Sequence, residues 1–291
     1  MPKESRVWFI TGAGRGIGRA LTDAALAAGE RVVATVRRPD AVADLVAAHG
    51  NALHVEMLDV RDRGAVDAAV RRGIEHHGRL DVVVNNAGYG VVGTIEELAE
   101  DDLRDILDTN VLGAVWVTQA VLPHLRGQGS GHIVQISTVG GVGTMPTLGA
   151  YNASKWALEA FSEALAAEVG PLGVRVTIAE LGGFATDWGG SSMHFAEPLP
   201  VYDQLRTDLF GTPVVPWPQA DDELSTDAPP ADAAHAIRAH VDADTGPLRL
   251  LVGEDAPTFV ASALAARRDD YGRDARFTWP AGPTAGSSPA Q

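Results

Sequence analysis

The sequence predicts an α/β protein built on a doubly wound parallel sheet with helices on both faces. Two observations carry that expectation. From its start to about residue 180 the 291-residue chain alternates short β-branched runs with longer Ala-rich stretches of helical period. The β-branched runs are apolar throughout, as strands covered on both faces must be. Strand and helix in repeated alternation is the pattern of a parallel sheet.

The strand candidates are "RVWFIT" (6–11), "RVVATV" (31–36), "ALHVEML" (52–58), "LDVVVN" (80–85), "HIVQIS" (132–137) and "VRVTIAE" (174–180). Helical patterns at roughly 16–28, 62–77, 99–126 and 151–170 fill the gaps. A last strand, "LRLLVG" (248–253), follows a gap of almost seventy residues. Inside that gap, 183–230 is rich in proline and carries Trp188, Met193, Phe195, Tyr202, Phe210 and Trp217 with little periodicity. Irregular segments of that length are functional or disordered. The expected organisation is a single domain over 1–276, with 183–230 a substrate-loop insertion, and a low-complexity, disordered tail over 277–291.

Composition narrows the function. Hydrophobic residues make up 45% of the chain, enough for a sizeable core. The formal net charge is −15, from 23 basic and 38 acidic residues, and no basic run reaches five. Such a surface repels nucleic acid and anionic membranes. With no cysteine there is no disulfide, thiolate metal site or cysteine nucleophile, which fits a cytoplasmic location. The opening "MPKESRVWFITG" lacks a signal-peptide core, and no stretch nears the ~20 apolar residues that span a membrane. No His cluster or HExxH pattern points to a metal.

The first strand ends at Thr11 and runs into "TGAGRGIG" (11–18), then a helix. Gly12, Gly16 and Gly18, with Arg15 and Ile17 between them, let the backbone turn tightly and approach a pyrophosphate at a helix N-terminus. The spacing is GxxxGxG rather than GxGxxG, which needs a glycine where Ile17 stands. NAD sites usually place an acid at the end of the second strand. Here Val36 occupies that position, followed by Arg37 and Arg38, and guanidiniums suit the 2′-phosphate of NADP(H).

Further along, "YNASK" sets Tyr151 and Lys155 on one helix face at i, i+4. A free tyrosine has a pKa of about 10, and a neighbouring ammonium favours the phenolate and lowers that value. A tuned acid–base group of this kind is worth about 10²–10⁴ in rate.

With "TGAGRGIG" at 11–18, "DV" at 59–60, "NNAG" at 85–88, Asn110 in a helix and "YNASK" at 151–155 in this order, the chain resembles the short-chain dehydrogenase/reductase family from about residue 5 to 188. The resemblance implies a Rossmann-type sheet and assigns roles. Tyr151 exchanges a proton with the substrate oxygen, Lys155 holds the nicotinamide ribose, and Asn110 anchors a water joining that lysine to solvent. Asn86, Ala87 and Gly88 line the adenosine ribose, and Asp59 faces the adenine with Val60 beside it. The substrate-binding hydroxyl stands thirteen residues before the tyrosine, which here is Thr138 in "STVGG" where a serine is familiar. Ser137 should point to the opposite side of an extended backbone.

At "AELGGFATDW" the family usually has Pro-Gly and then a threonine that binds the nicotinamide carboxamide. Leu181 replaces the proline, while Gly182 and Thr186 remain. The resemblance also implies a homodimer or homotetramer packed on the small residues Ala153, Ala157, Ala160 and Ala164. The aromatic 183–230 segment suggests a lid over a large apolar carbonyl or alcohol compound. The expected activity is NADP(H)-dependent interconversion of a ketone or aldehyde and an alcohol. Two alternatives stay open: a non-redox enzyme on the same scaffold (isomerase, dehydratase or cyclase), kept open by Thr138 and Leu181, and an NADP(H)-binding sensor, which the Tyr–Lys pair opposes.

Overall fold

The computed structural model describes residues 5–186, 193–213, 228–243 and 245–280. The first half runs β1 (Val7–Thr11), α1 (Gly16–Ala27), β2 (Arg31–Val36), α2 (Ala43–His49), β3 (Leu53–Met57), α3 (Arg63–His77), β4 (Val82–Asn85), β5 (Gly90–Val92), α4 (Glu100–Leu107) and α5 (Gly113–Gln128). The second half runs β6 (Gly131–Thr138), α6 (Gly149–Val169), β7 (Val174–Leu181), β8 (Met193–Phe195), α7 (Asp203–Phe210), α8 (Pro230–Asp242), β9 (Arg249–Val252) and α9 (Ala256–Tyr271). Seven of these strands form one sheet in the order β3-β2-β1-β4-β6-β7-β9, every pairing parallel. These are the seven apolar runs, each within a residue or two of its expected bounds.

The pleat explains why those runs are apolar throughout. Trp8 and Ile10 of β1 face one core with α1 and α8, while Val7 and Phe9 face a second core with α3 and α5. Both sides are therefore buried, and each fully buried Val, Leu, Ile or Phe contributes about 1.5–3 kcal/mol. Two glycines let helices approach closely. A Cβ on Gly73 would meet Val33 of β2 at 3.0 Å, and one on Gly113 would meet Val60 at 2.6 Å. Asp62 caps α3 by accepting the Ala65 N–H at 2.9 Å, and Gly78, at φ +81°, ends it.

The expected helix over 99–126 is three pieces: α4, a π turn over Asp108–Leu112, and α5. The π turn widens the helix around Asn110, a distortion common at functional sites.

Within the expected substrate loop, 187–192 and 214–227, and with them Trp188 and Trp217, lie outside the described residues. The described part, 193–213, holds regular structure that the sequence did not announce. β8 pairs in parallel with β5, from Gly90↔Met193 to Val92↔Phe195. α7 then docks through Arg206, whose side chain is buried against Glu97 at 2.6 Å. The same guanidinium donates to Leu199 O, Asp203 Oδ1 and Pro213 O, each at 2.7 Å. Glu97 in turn accepts the Leu199 and Thr94 N–H groups at 2.8 and 2.7 Å. Of the tail, 281–291 lie outside the described residues, while Phe277 stacks on Tyr271 at 5.3 Å. No helix among the described residues is long and apolar enough to cross a membrane.

Arg206→Met leaves the Glu97 carboxylate buried without its cation, a loss of about 3–5 kcal/mol for a broken buried pair. The expected result is proteolytic cleavage within 193–213 under conditions that leave the parent protein intact.

Candidate active site

β1 has β2 on one side and β4 on the other, so the connections leaving their carboxyl ends diverge to opposite faces of the sheet. Open parallel sheets bind ligands in the crevice this creates. The glycine-rich turn lies there. Gly12 and Gly16 take φ of +66° and +54°, a region that side chains disfavour. A Cβ on Gly18 would sit 2.4 Å from both Gly12 O and Asn86 Nδ2.

The turn is held from beneath by the "NNAG" segment. The Thr11 hydroxyl donates to Val84 O at 3.2 Å and accepts the Asn86 and Ala87 N–H groups at 2.9 and 3.0 Å. Asn86 Nδ2 donates to Thr11 O and Gly12 O at 2.9 and 3.2 Å. Asn86 thus builds the glycine loop with its side chain.

Arg15 stands at the N-cap position of α1, Ile17 packs into the core, and no acidic residue or side-chain cap occupies the first turn. That amino end fits a phosphate, because its N–H groups and dipole favour negative charge. The exposed Arg37 and Arg38 follow β2. Asp59 accepts from the Arg61 N–H and guanidinium at 3.0 and 2.8 Å. Arg61, and more weakly Arg37, hold the Asp59 carboxyl below its usual range. Val60 is buried against Gly113. Arg61 was not singled out from the sequence.

The loop after β7 closes on the same turn. The Thr186 side chain lies over Gly16, 3.6 Å from where a Cβ would be. Gly182 leaves room for Asp255, a Cβ there falling 2.0 Å from its Oδ1, and Gly183 donates to Asp255 Oδ2 at 3.1 Å. Leu181, in place of the familiar proline, is the last residue of β7, paired with Thr138 of β6 and Val252 of β9.

At the chemical end, Tyr151 and Lys155 lie in the first two turns of α6, both buried. The Thr138 hydroxyl makes a hydrogen bond with Tyr151 and donates to Leu181 O at 3.1 Å. Ser137, one residue earlier, points to the other side and donates to Glu159 Oε1 at 2.6 Å. The two adjacent hydroxyls are therefore separated by the pleat of β6, as an extended backbone requires.

Lys155 Nζ donates to Ile136 O at 2.8 Å and sits 5.8 Å from the centre of the Tyr151 ring. Burial pulls the lysine down to about 8, opposed by the charge of Glu159. Burial likewise pushes the Tyr151 phenol up, opposed by the Thr138 hydrogen bond. The lowering of Tyr151 expected from its lysine neighbour is thus absent in the protein alone, where loss of water outweighs it.

Asn110, in the π turn, donates to Tyr89 O at 2.9 Å and Ser154 Oγ at 3.0 Å, and accepts the Tyr89 N–H at 3.0 Å. Ser154 donates to Tyr151 O at 2.7 Å, so Asn110 braces the start of α6. Gly88 lies between Asn110 and Lys155: a Cβ there would be 3.0 Å from Asn110 Oδ1 and 3.8 Å from Lys155 Nζ.

A glycine turn and an uncapped helix N-terminus at the switch point of a parallel sheet suit a dinucleotide, and the buried Tyr151–Lys155 pair lies at the carboxyl end of the same sheet. Comparison with known proteins agrees. The family model described as short chain dehydrogenase matches residues 6–195. Oxidoreductase BOA17 of Botryotinia fuckeliana is 40% identical over 260 residues, covering 89% of this chain and 93% of that protein. The structure of a short-chain dehydrogenase from Streptomyces avermitilis superposes with a TM-score of 0.83 at 39% identity, over 94% of this chain and 97% of that one.

Two more distant structures share the fold. One is a 3-ketoacyl-(acyl-carrier-protein) reductase from Brucella melitensis complexed with NADH (TM-score 0.71, 23% identity, 86% of this chain and 97% of that one). The other is a short chain dehydrogenase from Burkholderia cenocepacia in complex with NADP (0.73, 22%, 93% and 97%). The chain belongs to the short-chain dehydrogenase family and is an NAD(P)-dependent oxidoreductase.

Gly18→Ala forces the glycine turn away from Asn86. Isothermal titration should show the dinucleotide bound at least about tenfold more weakly, a loss of ~1.4 kcal/mol or more.

Proposed function

We propose that this protein is an NADP(H)-dependent oxidoreductase that interconverts a ketone or aldehyde and an alcohol, acting on a fairly large apolar substrate. The observation that carries the reading is the buried phenol of Tyr151, hydrogen-bonded with Thr138 and with the Lys155 ammonium 5.8 Å from its ring centre. Burial favours the neutral phenol, which is the form reduction consumes.

In reduction the Tyr151 hydroxyl gives its proton to the carbonyl oxygen, and in oxidation the phenolate takes a proton from the alcohol. The Thr138 hydroxyl donates a hydrogen bond to the same oxygen and fixes its position. Lys155 holds the nicotinamide ribose, and its charge stabilises the phenolate left after proton transfer. Bound cofactor supplies or accepts the hydride. Asn110 anchors a water between Lys155 and solvent, a role supported by its place in the π turn across Gly88 from the lysine.

Thr11, Gly12, Arg15, Gly16, Ile17 and Gly18 receive the pyrophosphate, while Asp59, Val60, Asn86, Ala87 and Gly88 flank the adenosine. Gly182 and Thr186 meet the nicotinamide. NADP(H) is preferred over NAD(H) because exposed Arg37 and Arg38 follow Val36 where an acid would bind a ribose hydroxyl.

Apolar side chains on the flanking loops support the substrate class. Ile95, Met145 and Phe195 are exposed, and Ile95 reaches Gly149 two residues before Tyr151. We read the described residues 193–213 as part of the substrate loop of a single domain. Exposed Ala153, Ala160, Ala164 and Phe161 on α6 support a homodimer or homotetramer, and the absence of cysteine supports a cytoplasmic location.

The test is consumption of NADPH and NADH across ketones and aldehydes graded in size. Faster use of NADPH, increasing toward larger apolar compounds and lost in Tyr151→Phe, is the expected result. Tight NADPH binding with no turnover on any compound overturns it. Arg37→Asp should weaken NADPH binding at least about tenfold and NADH binding little, since only NADPH carries the 2′-phosphate. Equal losses contradict the assignment.

A further inference from the structure

The proposed reaction leaves unused a buried carboxylate, Glu159, on the helix face that carries Tyr151 and Lys155. Tyr151, Lys155 and Glu159 stand at i, i+4 and i+8 of α6, so they share one helix face, and all three are buried. A buried carboxylate is costly to hold and is rarely kept without a partner. Glu159 is held from two sides. Ser137 of β6 donates to its Oε1 at 2.6 Å, a short bond of the kind an ionised acceptor makes. Arg249 of β9 approaches its Oε2 at 3.4 Å, and that guanidinium also meets Glu163 of α6 at 2.6 Å and Glu180 of β7 at 2.8 Å.

We propose that Glu159 is the fixed counter-charge of Lys155, a positioning residue that keeps the ammonium charged in its buried setting, and that Ser137 serves the lysine by orienting Glu159 rather than by binding substrate. This rests on reading Lys155 as part of the active site.

The charged and titratable groups that face Glu159 are Lys155 and Glu163 on its own helix, Glu180 on β7 and Arg249 on β9. Glu180 is nearly fully buried, and neither carboxylate oxygen has a well-aligned hydrogen bond. Burial, and the charge of Glu159 beside it, push Glu180 up to about 7. Burial pushes Glu159 up as well, opposed by the Ser137 hydrogen bond and by Arg249, which favour its charged form. Among the charges around Lys155, Glu159 is the one that favours the ammonium. Removing it leaves burial unopposed, so Lys155 loses its proton at lower pH.

The sequence makes the test clean, because the chain has two lysines, Lys3 and Lys155. With [ε-13C]lysine incorporated, each side chain gives one signal, and Lys155→Met assigns the pair. In the protein without cofactor, Lys155 should titrate near 8. In Glu159→Gln its midpoint should fall by about one pH unit, a tenfold change in the ionisation constant. Lys3 should not move. Ser137→Ala should shift Lys155 in the same direction by less, and it decides the matter if Glu159→Gln does not fold.

The alkaline limb of kcat/KM with NADPH should move down by the same amount in each variant. A Lys155 midpoint that stays in place in the folded variants overturns the proposal. Because the titration needs no turnover, a Lys155 that shifts as expected in a protein that reduces no carbonyl compound leaves the inference standing and removes the reductase reading instead.

Discussion

One buried face of α6 pressed against the carboxyl end of β6 is the constraint on which the rest of the site depends. α6 fixes Tyr151, Lys155 and Glu159 in line, one turn apart. β6 answers with alternating residues: Thr138 toward the phenol, Ser137 toward the carboxylate, and the Ile136 carbonyl toward the ammonium. Shifting that register by one residue would send the Thr138 hydroxyl away from the phenol and bring Ser137 to it, because side chains on a strand alternate faces. Register is secured by the sheet itself, where β6 pairs with β7 over eight residues, from Gly131↔Val174 to Thr138↔Leu181. Both sheet faces are buried, so a slipped β6 would expose one core while overpacking the other.

The nucleotide end obeys a different constraint, that of close approach. Positive φ at Gly12 and Gly16 and the missing Cβ of Gly18 bring the turn against Asn86. Hydrogen bonds through Thr11 and Asn86 then lock two segments more than seventy residues apart into one cradle. The π turn at Asn110 and the bare Cα of Gly88 complete the path to Lys155. Backbone geometry sets one half of the site and side-chain alternation sets the other. The carboxyl edge of the parallel sheet joins the halves.

The sequence made the central sheet legible because strands buried on both faces leave continuous apolar runs that few other structures produce. The shared helix face of Tyr151 and Lys155 was legible from their spacing, and the divergence of Ser137 and Thr138 from strand alternation. The choice of Thr138 for the substrate rested on the family resemblance. Glu159 was not legible, since an acidic residue in an Ala-rich helix reads as solvated until the strand behind it is known. The π turn was invisible for a related reason: one extra residue in a helical turn leaves the apolar period intact on both sides. β8 and α7 were hidden in a segment read as irregular. β8 is held by its pairing with β5 and α7 by the contact of Arg206 with Glu97, and no local pattern links residues 109 positions apart. The fall of Lys155 and the rise of Tyr151 come from burial, which only packing reveals.

The pleat of β6 separates its two adjacent hydroxyls, and different tasks for them follow under the proposed function. The most direct measurement is therefore the turnover of Thr138→Val and Ser137→Ala on one carbonyl substrate with NADPH, side by side at neutral pH. Thr138→Val should lose about 10² or more in kcat/KM, within the range that removing a well-placed donor costs. Ser137→Ala should lose less than about tenfold, with its alkaline limb moved to lower pH. Full activity in Thr138→Val beside an inactive Ser137→Ala would contradict it, because the hydroxyl aimed at Glu159 would then be the one that holds the substrate.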